Sequence, residues 1–430
     1  MRRVGAFAVV TLCAAVAHAE PPKTTVYELS SPDVGQACLD SSSLTCMRRR
    51  IFVLLALLVA CGASSSNVVQ LPPASSASAA SVGASTTTAN ACATWKACRV
   101  VGEPVRVSEA RIGQSPNVVW DGNEALVVYE TPREGTHLAA VANGHVVWTE
   151  LITGMNPEIA WNARTRTGLV VTSETIAWLG RDGKPTHKTK APQVTNITFH
   201  GGVAASKDGF IVATGVGSHA SSAPPVAFSI ARVGAPSDTL DWKRVDDDGL
   251  RYAPLVTKDA IISQPFKSAP QLFMFSSSDE PGTPVTMSSG AAMRAVAFDP
   301  PYIVYVEETT HALSLTMLNT TPVDLGVRST RSGSAVLLHV GDKLILGADK
   351  IGDSAGVALA PLDANAGQVG TPLAIGPEKS QHLRAAANDK GFVAVWNIAD
   401  DGAPMVQLMN NNAMHGLSTM LAVYACCPAP

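Results

Sequence analysis

The chain has 430 residues, with 32 lysine and arginine residues against 35 aspartate and glutamate residues, which gives a formal net charge of −3 at pH 7. This balance provides no basic footprint, so nucleic acid is excluded as an expected partner. Charged residues make up 16% of the chain. That share is below the roughly 25% of average soluble proteins and is typical of a β-rich exported protein.

The first nineteen residues have the layout of a secretory signal peptide. Arg2 and Arg3 precede an apolar run, residues 4–16, and the small residues at 17–19 fit a cleavage site. This segment predicts export from the cytoplasm.

A second segment of the same kind occupies residues 47–60. Three arginines, 48–50, precede ten apolar residues, 51–60. Ten helical residues rise about 15 Å, half of the roughly 30 Å hydrocarbon core, so we interpret the segment as a processing signal. We expect translation to begin at Met47, with residues 1–46 as an upstream extension. In the alternative, the first signal is used and residues 54–60 form an apolar patch near the new N-terminus.

The second segment ends in Leu58-Val59-Ala60-Cys61, which resembles the lipobox of bacterial lipoproteins. The resemblance implies that Cys61 carries an acyl chain such as palmitate and becomes the N-terminus after cleavage. Stable anchoring needs more than one chain, because each buried methylene contributes only about 0.8 kcal/mol. Gly62 stands where aspartate favours inner-membrane retention, so we expect a lipid anchor in the outer membrane.

After the lipidation site, residues 61–91 are dominated by serine, alanine and threonine. The segment has too few large apolar residues to pack a core. We interpret it as a flexible tether with an r.m.s. reach of roughly 30 Å.

Four cysteines frame the predicted folded domain, residues 92–430: Cys92 and Cys98 at its start, Cys426 and Cys427 at its end. Disulfides form in an exported protein. A bridge between the adjacent Cys426 and Cys427 would be strained. Either Cys92 pairs with Cys426 and Cys98 with Cys427, or the two pairs are crossed, and both versions tie the chain ends together. The alternative is a local bridge between Cys92 and Cys98 with free thiols at the end.

From residue 116 onward, one pattern recurs seven times: a short apolar strand, a tight turn and a second strongly apolar strand. The residues before the seven turns, which we take as anchors, are Trp120, Trp161, Ala205, Val256, Phe298, His339 and Ala387. Their separations are 41, 44, 51, 42, 41 and 48 residues, the range of propeller blades. The second strands, such as ALVVY, are apolar at nearly every position, as expected of strands buried on both faces.

Each repeat also contains a weaker second hairpin. The clearest turns on Asn143-Gly144, a dipeptide that supplies positive φ at both corners of a type I′ turn. Others surround Asp182-Gly183 and residues 363–367. Two hairpins make four strands per repeat.

The sequence therefore predicts an all-β fold, a β-propeller of seven blades with four antiparallel strands each. We expect the β-like segment 99–108 to pair with the last blade, so that N- and C-terminal strands close the ring and Cys98 approaches the C-terminal cysteines. Over residues 99–430, this periodicity resembles that of seven-bladed propeller lipoproteins.

The sequence contains few motifs that indicate a catalytic or binding site. A metalloprotease H-E-x-x-H, a P-loop, WD40 dipeptides in phase and sialidase Asp boxes are all missing. The ten histidines have no metal-ligand spacing, so we expect no metal, no cofactor and no assigned catalytic residue. His339 stands at an anchor position, where we expect it to be packed.

Acidic neighbours and tryptophans are the remaining candidates. Asp246-Asp247-Asp248, Glu307-Glu308 and Asp400-Asp401 fall at predicted turns, where solvated side chains are expected. Trp148, Trp178 and Trp242 lie on or beside the outer hairpins, where they either bind a partner or pack between blades.

These features favour a lipid-anchored, extracytoplasmic binding or scaffold module, a monomer whose loops bind an envelope protein or carbohydrate. The alternative is a polysaccharide-active hydrolase or lyase of propeller fold. That enzyme needs two carboxylates about 5 to 10 Å apart in a cleft.

Overall fold

The computed structural model describes residues 93–108, 114–131, 134–192, 198–217, 228–245, 250–265, 269–275, 281–287, 293–317, 320–329, 334–399, 406–407, 413–414 and 417–427. All of them belong to one compact unit, Gly83–Pro430. The signals and the tether lie outside the described residues and stay predictions. Within the described ranges, no helix has the length and hydropathy to cross a membrane.

The described chain begins with a 3-10 helix, Trp95–Ala97, and two short strands, β1 (Arg99–Val100) and β2 (Val105–Arg106). Three four-stranded antiparallel sheets follow, one after another along the chain. Blade 1 contains β3 (Gln114–Trp120), β4 (Glu124–Thr131), β5 (Gly135–Ala142) and β6 (His145–Ile152). Blade 2 contains β7 (Glu158–Asn162), β8 (Thr167–Val171), β9 (Thr175–Leu179) and β10 (Pro185–Lys190). Blade 3 contains β11 (Thr198–Ala205), β12 (Phe210–Gly217), β13 (Ser229–Val233) and β14 (Trp242–Arg244).

Four more sheets complete the ring. Blade 4 contains β15 (Leu255–Val256), β16 (Ala260–Ser263), β17 (Gln271–Met274) and β18 (Val285–Thr286). Blade 5 contains β19 (Met293–Asp299), β20 (Tyr302–Glu307), β21 (Ala312–Met317) and β22 (Val323–Arg328). Blade 6 contains β23 (Ala335–Val340), β24 (Lys343–Ala348) and β25 (Gly356–Asp363), and its outer position is divided between β26 (Gln368–Val369) and β27 (Leu373–Glu378). Blade 7 contains β28 (Ser380–Ala387), β29 (Gly391–Ala399) and β32 (Leu417–Ala425), with a small hairpin, β30 (Val406–Gln407) and β31 (Ala413–Met414), between the last two.

The sheets form a closed ring. The innermost strands contact one another in the order β3, β7, β11, β15, β19, β23 and β28, and β28 returns to β3. The outer position of blade 7 is filled from the other end of the chain, because Arg99 and Val105 pair with Ala425 and Leu421 of β32. The predicted seven-bladed propeller and its closure by terminal strands are therefore confirmed.

The middle strands explain the continuous apolar runs of the sequence. In β4, Leu126 and Val128 pack into the core shared with blade 2, whereas Val127 and Tyr129 pack into the core shared with blade 7. Side chains alternate between the two faces of a strand, so one strand supplies two cores. Seven such inter-blade cores are present among the described residues.

The anchors mark the ends of the inner strands. Each of the seven lies at the last residue of an inner strand or one residue before it. The predicted outer hairpin turn of blade 1 is also confirmed, because Asn143 and Gly144 have φ values of 52° and 76°.

A disulfide joins Cys98 to Cys426 across 328 residues, with an S–S distance of 2.06 Å. This pair belongs to the crossed version of the end-to-end pairing and rules out the local bridge between Cys92 and Cys98. Cys427 is also disulfide-bonded. Cys92 lies outside the described residues, so its pairing with Cys427 stays a prediction.

The start of the described chain lies against the turns that follow the inner strands. The Ala93 amide donates to Asp389 O at 3.3 Å, in the turn after β28, and the Thr94 amide donates to Cys426 O at 2.7 Å. In blade 6, a Cβ placed on Gly341, in the turn after β23, would lie 2.1 Å from Ala93 O. The disulfide and these contacts fix residues 93–98 at that face of the ring.

Loss of the disulfide should weaken the fold through its longest covalent loop. We expect the triple variant Cys98→Ala, Cys426→Ala and Cys427→Ala, which also removes the second bridge through Cys427, to lower the free energy of unfolding by about 2 to 5 kcal/mol. Urea denaturation followed by tryptophan fluorescence measures this difference, with Ser64→Ala, in the predicted tether, as a control outside the domain. A loss below about 0.5 kcal/mol would show that strand pairing alone closes the ring.

A single cavity in the core between blades 7 and 1, where the ring closes, should lower the stability of the fold. Leu421 is fully buried in the core between blades 7 and 1, whereas Leu151 on β6 is 52% exposed. We expect Leu421→Ala to cost about 2 to 5 kcal/mol and Leu151→Ala less than about 0.5 kcal/mol. Chemical denaturation of both variants tests this, and equal losses would contradict the assignment of the core.

Candidate functional site

The inner strands bring one set of polar residues together. Because every blade repeats the same order of antiparallel strands, all inner strands run in the same direction along the axis of the ring. Their first residues therefore gather at one face, which we call the mouth face. The turns that follow the inner strands lie at the opposite face, which we call the far face.

One equivalent position of the inner strands carries most of the charge. It lies three pairing steps before the pair that the anchor residue makes: Arg384 pairs with Val395, for example, where the anchor Ala387 pairs with Phe392. In blade 4 the equivalent residue is Ala253, whose carbonyl oxygen accepts a hydrogen bond from Gln264 Nε2 at 3.1 Å. The residues at this ring position are Asn117, Glu158, Gly202, Ala253, Arg294, Val336 and Arg384.

Glu158 and Asn117 form one part of the site. Asn117 Nδ2 donates to Glu158 Oε2 at 2.6 Å, across the boundary between blades 1 and 2. The Asn117 amide is oriented in turn, because its Oδ1 accepts from the Val118 amide at 2.8 Å. Burial raises the pKa of Glu158, while Arg384 and the bond from Asn117 oppose the rise. A half-buried carboxyl group is thus held at the mouth face, within electrostatic range of a guanidinium.

Arg384 presents the complementary charge. It is partly buried, and its Nη1 donates to Leu383 O at 3.2 Å and to Ser334 Oγ at 3.5 Å. A guanidinium has five N–H groups. The three on Nε and Nη2 have no protein acceptor among the described residues. No described carboxylate lies within 4.0 Å of this side chain, so its charge is compensated only at a distance.

A second polar group joins blades 4 and 5 at the same face. Arg251 Nη2 lies 3.0 Å from Glu308 Oε2, and the Tyr252 hydroxyl donates to the other oxygen of Glu308. Arg294 Cζ lies 4.9 Å from the centroid of the Tyr252 ring, a cation–π distance. Burial and the bond to Glu308 raise the pKa of Tyr252. We call Asn117, Glu158, Tyr252, Arg294, Glu308 and Arg384 the channel-mouth cluster.

Irregular pairing accompanies three members of this cluster. The strand register shifts between Gln114 and Asn117, between Ala295 and Ala297 and between Gln381 and Arg384. Such bulges redirect nearby side chains and are frequent at binding and active sites. Inner-strand bulges therefore adjoin Asn117, Arg294 and Arg384.

His382 supports the bulge before Arg384. Its φ of 58° is unusual for a residue other than glycine. Nδ1 lies 3.2 Å from Asn397 Oδ1, and the neighbouring Leu383 amide donates to the buried Asp349 at 3.3 Å. Burial lowers the pKa of His382, although Asp349 and the contact with Asn397 oppose this. A neutral imidazole thus fills this position near pH 7.

The adjacent acidic residues Glu307 and Glu308 have different surroundings in the structure. Glu307 accepts from Thr309 at 3.0 Å and from Thr310, and these bonds lower its pKa, as expected of a solvated turn. Glu308 departs from that expectation, because Arg251 and Tyr252 hold it in the channel-mouth cluster. Residues 246–248 and 400–401 lie outside the described residues.

Residues 352–356, GDSAG, fit the G-x-S-x-G pattern of a nucleophile elbow. That motif needs a strand, a sharp turn and a helix. Here the segment joins antiparallel β24 to β25. Ser354 Oγ accepts from the Ile351 amide at 2.9 Å and donates to Gly356 O at 3.1 Å, so the hydroxyl stabilises its own turn.

A shallow acidic pocket lies at the far face between blades 1 and 2. Asp121, Glu124 and Asp182 line it together with Arg181. Burial raises the pKa of Glu124, and the charges of Asp121 and Asp182 add to the rise. Across the described ranges, no cluster of three or more histidine, cysteine or acidic residues has metal-binding geometry.

The three tryptophans pack between blades. Trp178 is 4% exposed in the core between blades 2 and 3. Trp242 packs against the same core, and Trp148 packs against the core between blades 1 and 2. Trp178 is thus a core residue, whereas Trp148 and Trp242 are partly buried.

His339 differs from the expectation of a packed residue. Its side chain is 55% exposed, and its Nε2 lies 2.9 Å from Asp299 Oδ2. The end of an inner strand reaches the far face, where a polar pair between blades 5 and 6 remains in contact with water. The hydrogen bond to Asp299 raises the pKa of His339, and burial opposes the rise.

Glu158, Arg294 and Arg384 were not singled out from the sequence, although a signal was present. Each begins a copy of the repeat: EIAW, RAVAF and RAAA. Alignment of the copies on their turns places the three charges at one position, once the bulge residue of blade 5 is allowed for. The repeat is recognised from the hydrophobic positions of its strands, and these positions give no information about charged residues at an equivalent position.

The strands define the class of protein as a seven-bladed β-propeller. No known protein family and no curated protein matches the chain. Among solved structures, U3-55K is similar at 9% identity and a TM-score of 0.47, covering 77% of this chain and 99% of that chain. The WD40 β-propeller domain of Doa1 has 10% identity and a TM-score of 0.43, covering 77% and 97%. The dihydro-heme d1 dehydrogenase NirN has 14% identity and a TM-score of 0.41, covering 75% and 68%.

The pair of His339 and Asp299 should stabilise the fold in acid. Because the folded-state pKa of His339 is raised, its contribution is present below the unfolded value of about 6.5 and is lost as pH rises through the folded value. We expect His339→Gln to lower the thermal midpoint at pH 5.5 and to leave it nearly unchanged at pH 8.5. The effect should stay below about 1 kcal/mol, since the pair is half exposed.

Thermal melts followed by circular dichroism measure this difference. His145→Gln, an exposed histidine on β6, is the control. An equal effect of His339→Gln at both pH values would show that the side chain acts by packing and not by its charge.

Proposed function

We propose that the protein is a membrane-anchored extracytoplasmic lipoprotein whose propeller binds an envelope ligand at the mouth face. The channel-mouth cluster carries this proposal. The middle strands of the propeller are almost entirely apolar, yet four of the seven ring positions carry Asn117, Glu158, Arg294 and Arg384. All four side chains are half-buried, and charged groups whose solvation is reduced in this way cluster at functional sites.

The geometry favours binding over catalysis. Arg384 is held by two neutral oxygens, and Glu158 is held by one amide. A nucleophile paired with a general base does not occur among these contacts. The arrangement is a rigid set of hydrogen-bond donors and acceptors on strands, which suits recognition.

The anchoring part of the proposal rests on residues 47–91. The arginine-led apolar segment, the lipobox ending at Cys61 and the serine-rich tether occur in the order that a lipoprotein requires. A membrane is therefore the first proposed partner.

Lipidation should depend on a single side chain. We expect metabolic labelling with a palmitate analogue to mark the wild-type protein and to fail in Cys61→Ala, because the thioether forms on this sulfur. The experiment is done from Met1 and from Met47, with Ser64→Ala as the control, since this residue is present in both products. Retained label in Cys61→Ala would overturn the anchor, and label only from the Met47 start would assign the initiation site.

Ligand capture should depend on the channel-mouth cluster. We expect the wild-type domain to recover a crosslinked ligand from envelope membranes, and Arg384→Gln or Glu158→Gln to reduce recovery about tenfold or more, because each removes a charged contact. Arg328→Gln, on the outer strand of blade 5, is the control. Recovery that is equal in all four proteins would place the binding surface elsewhere.

A further inference from the structure

We propose that the ring positions of blades 7, 1 and 2 bind a small zwitterion, a molecule with a carboxylate and a primary ammonium group such as an amino acid or a short peptide. The inference rests on the proposed function, since it names the ligand class of the same site. Arg384, Asn117 and Glu158 form the site, and they lie on three consecutive inner strands, β28, β3 and β7.

The carboxylate end is defined by Arg384. Its Nη1 is fixed by Leu383 O and Ser334 Oγ, so the guanidinium is already oriented. The remaining N–H groups have no described protein acceptor, and a planar fork of this kind matches the two oxygens of a carboxylate. A ligand carboxylate would complete hydrogen bonds that the protein leaves open.

The ammonium end is defined by Glu158. Asn117 holds one carboxylate oxygen at 2.6 Å, and the other oxygen accepts no hydrogen bond from the described residues. An ammonium group has three donors and prefers an ionised carboxylate as partner. Asn117 thus orients the Glu158 carboxylate and leaves its second oxygen able to accept a hydrogen bond from a ligand.

The presence of two opposite charges that do not pair with each other selects the ligand class. Arg384 and Glu158 influence each other electrostatically but do not meet within the 4.0 Å of an ion pair. A lone anion would bring a negative charge beside Glu158, and a lone cation would bring a positive charge beside Arg384. A zwitterion satisfies both ends, and each protein charge repels the wrong end of the ligand.

The test is calorimetric titration of the full domain with matched probes. Glycine, β-alanine, γ-aminobutyrate and glycylglycine carry both charges at increasing separation. Acetylglycine carries only the carboxylate, glycinamide carries only the ammonium group, and galacturonate is a carboxylate with hydroxyl donors. We expect at least one zwitterion to bind, and the single-charge probes to bind about tenfold or more weakly.

The variants assign each end. Arg384→Gln and Glu158→Gln should each weaken the best zwitterion about tenfold or more, with Arg328→Gln unchanged. Thermal melts confirm that each variant is folded. If Glu158→Gln lowers the thermal midpoint too far for titration, Asn117→Leu serves as the second variant and should weaken the same probe, because it removes the donor that orients Glu158 without adding a charge.

Failure of this inference is distinguishable from failure of the proposed function. If acetylglycine or galacturonate binds as tightly as every zwitterion, the proposed ligand class is wrong. If that binding is lost in Arg384→Gln, the proposed site is still supported. Binding of no probe, together with capture of an envelope ligand that still depends on Arg384 and Glu158, would likewise overturn the class alone. Capture that is independent of both residues would overturn the site itself.

Discussion

The structure depends on apolar contact between neighbouring blades at every boundary of the ring, including the boundary where the chain ends meet. Val127 and Tyr129 face the last blade, while Leu126 and Val128 face the second. Every blade needs a neighbour on both sides, because its middle strands bury both faces. An open array would leave two such faces in water, at a cost of about 25 cal/mol for each Å² of apolar surface. Ring closure is thus a thermodynamic requirement, and β1, β2 and the bridge from Cys98 to Cys426 supply it.

The fold was accessible from sequence because its determinants are local and repeated. Seven turns at regular spacing, the Asn143-Gly144 corner and the two-sided apolar strands each predict the same architecture, and they agree with one another. The hairpin β30–β31 and the divided outer position of blade 6 escaped prediction, since neither interrupts the apolar pattern. His339 was expected to be packed, but the anchors lie at strand ends: the other six are half-buried, and His339 is exposed to water.

The site was less accessible because it is made of residues far apart in the chain. Glu158 and Arg384 are ordinary charges in sequence, and only the ring places them on strands that flank β3. Two bulges, before Asn117 and before Arg384, adjust the side chains there. Neighbouring acids such as Glu307 and Glu308 are conspicuous in sequence, but their side chains bind different partners. Sequence proximity is therefore a poor guide in a propeller, where residues about one repeat apart become neighbours.

The place where the folded chain begins has a directional consequence. Ala93 and Thr94 bond to the turn after β28 and to Cys426, and all of these groups lie at the far face. Anything that holds the protein through residues upstream of Ala93 therefore pulls on the side opposite Arg384 and Glu158. The entry of the chain therefore leaves the mouth face clear of residues 93–98.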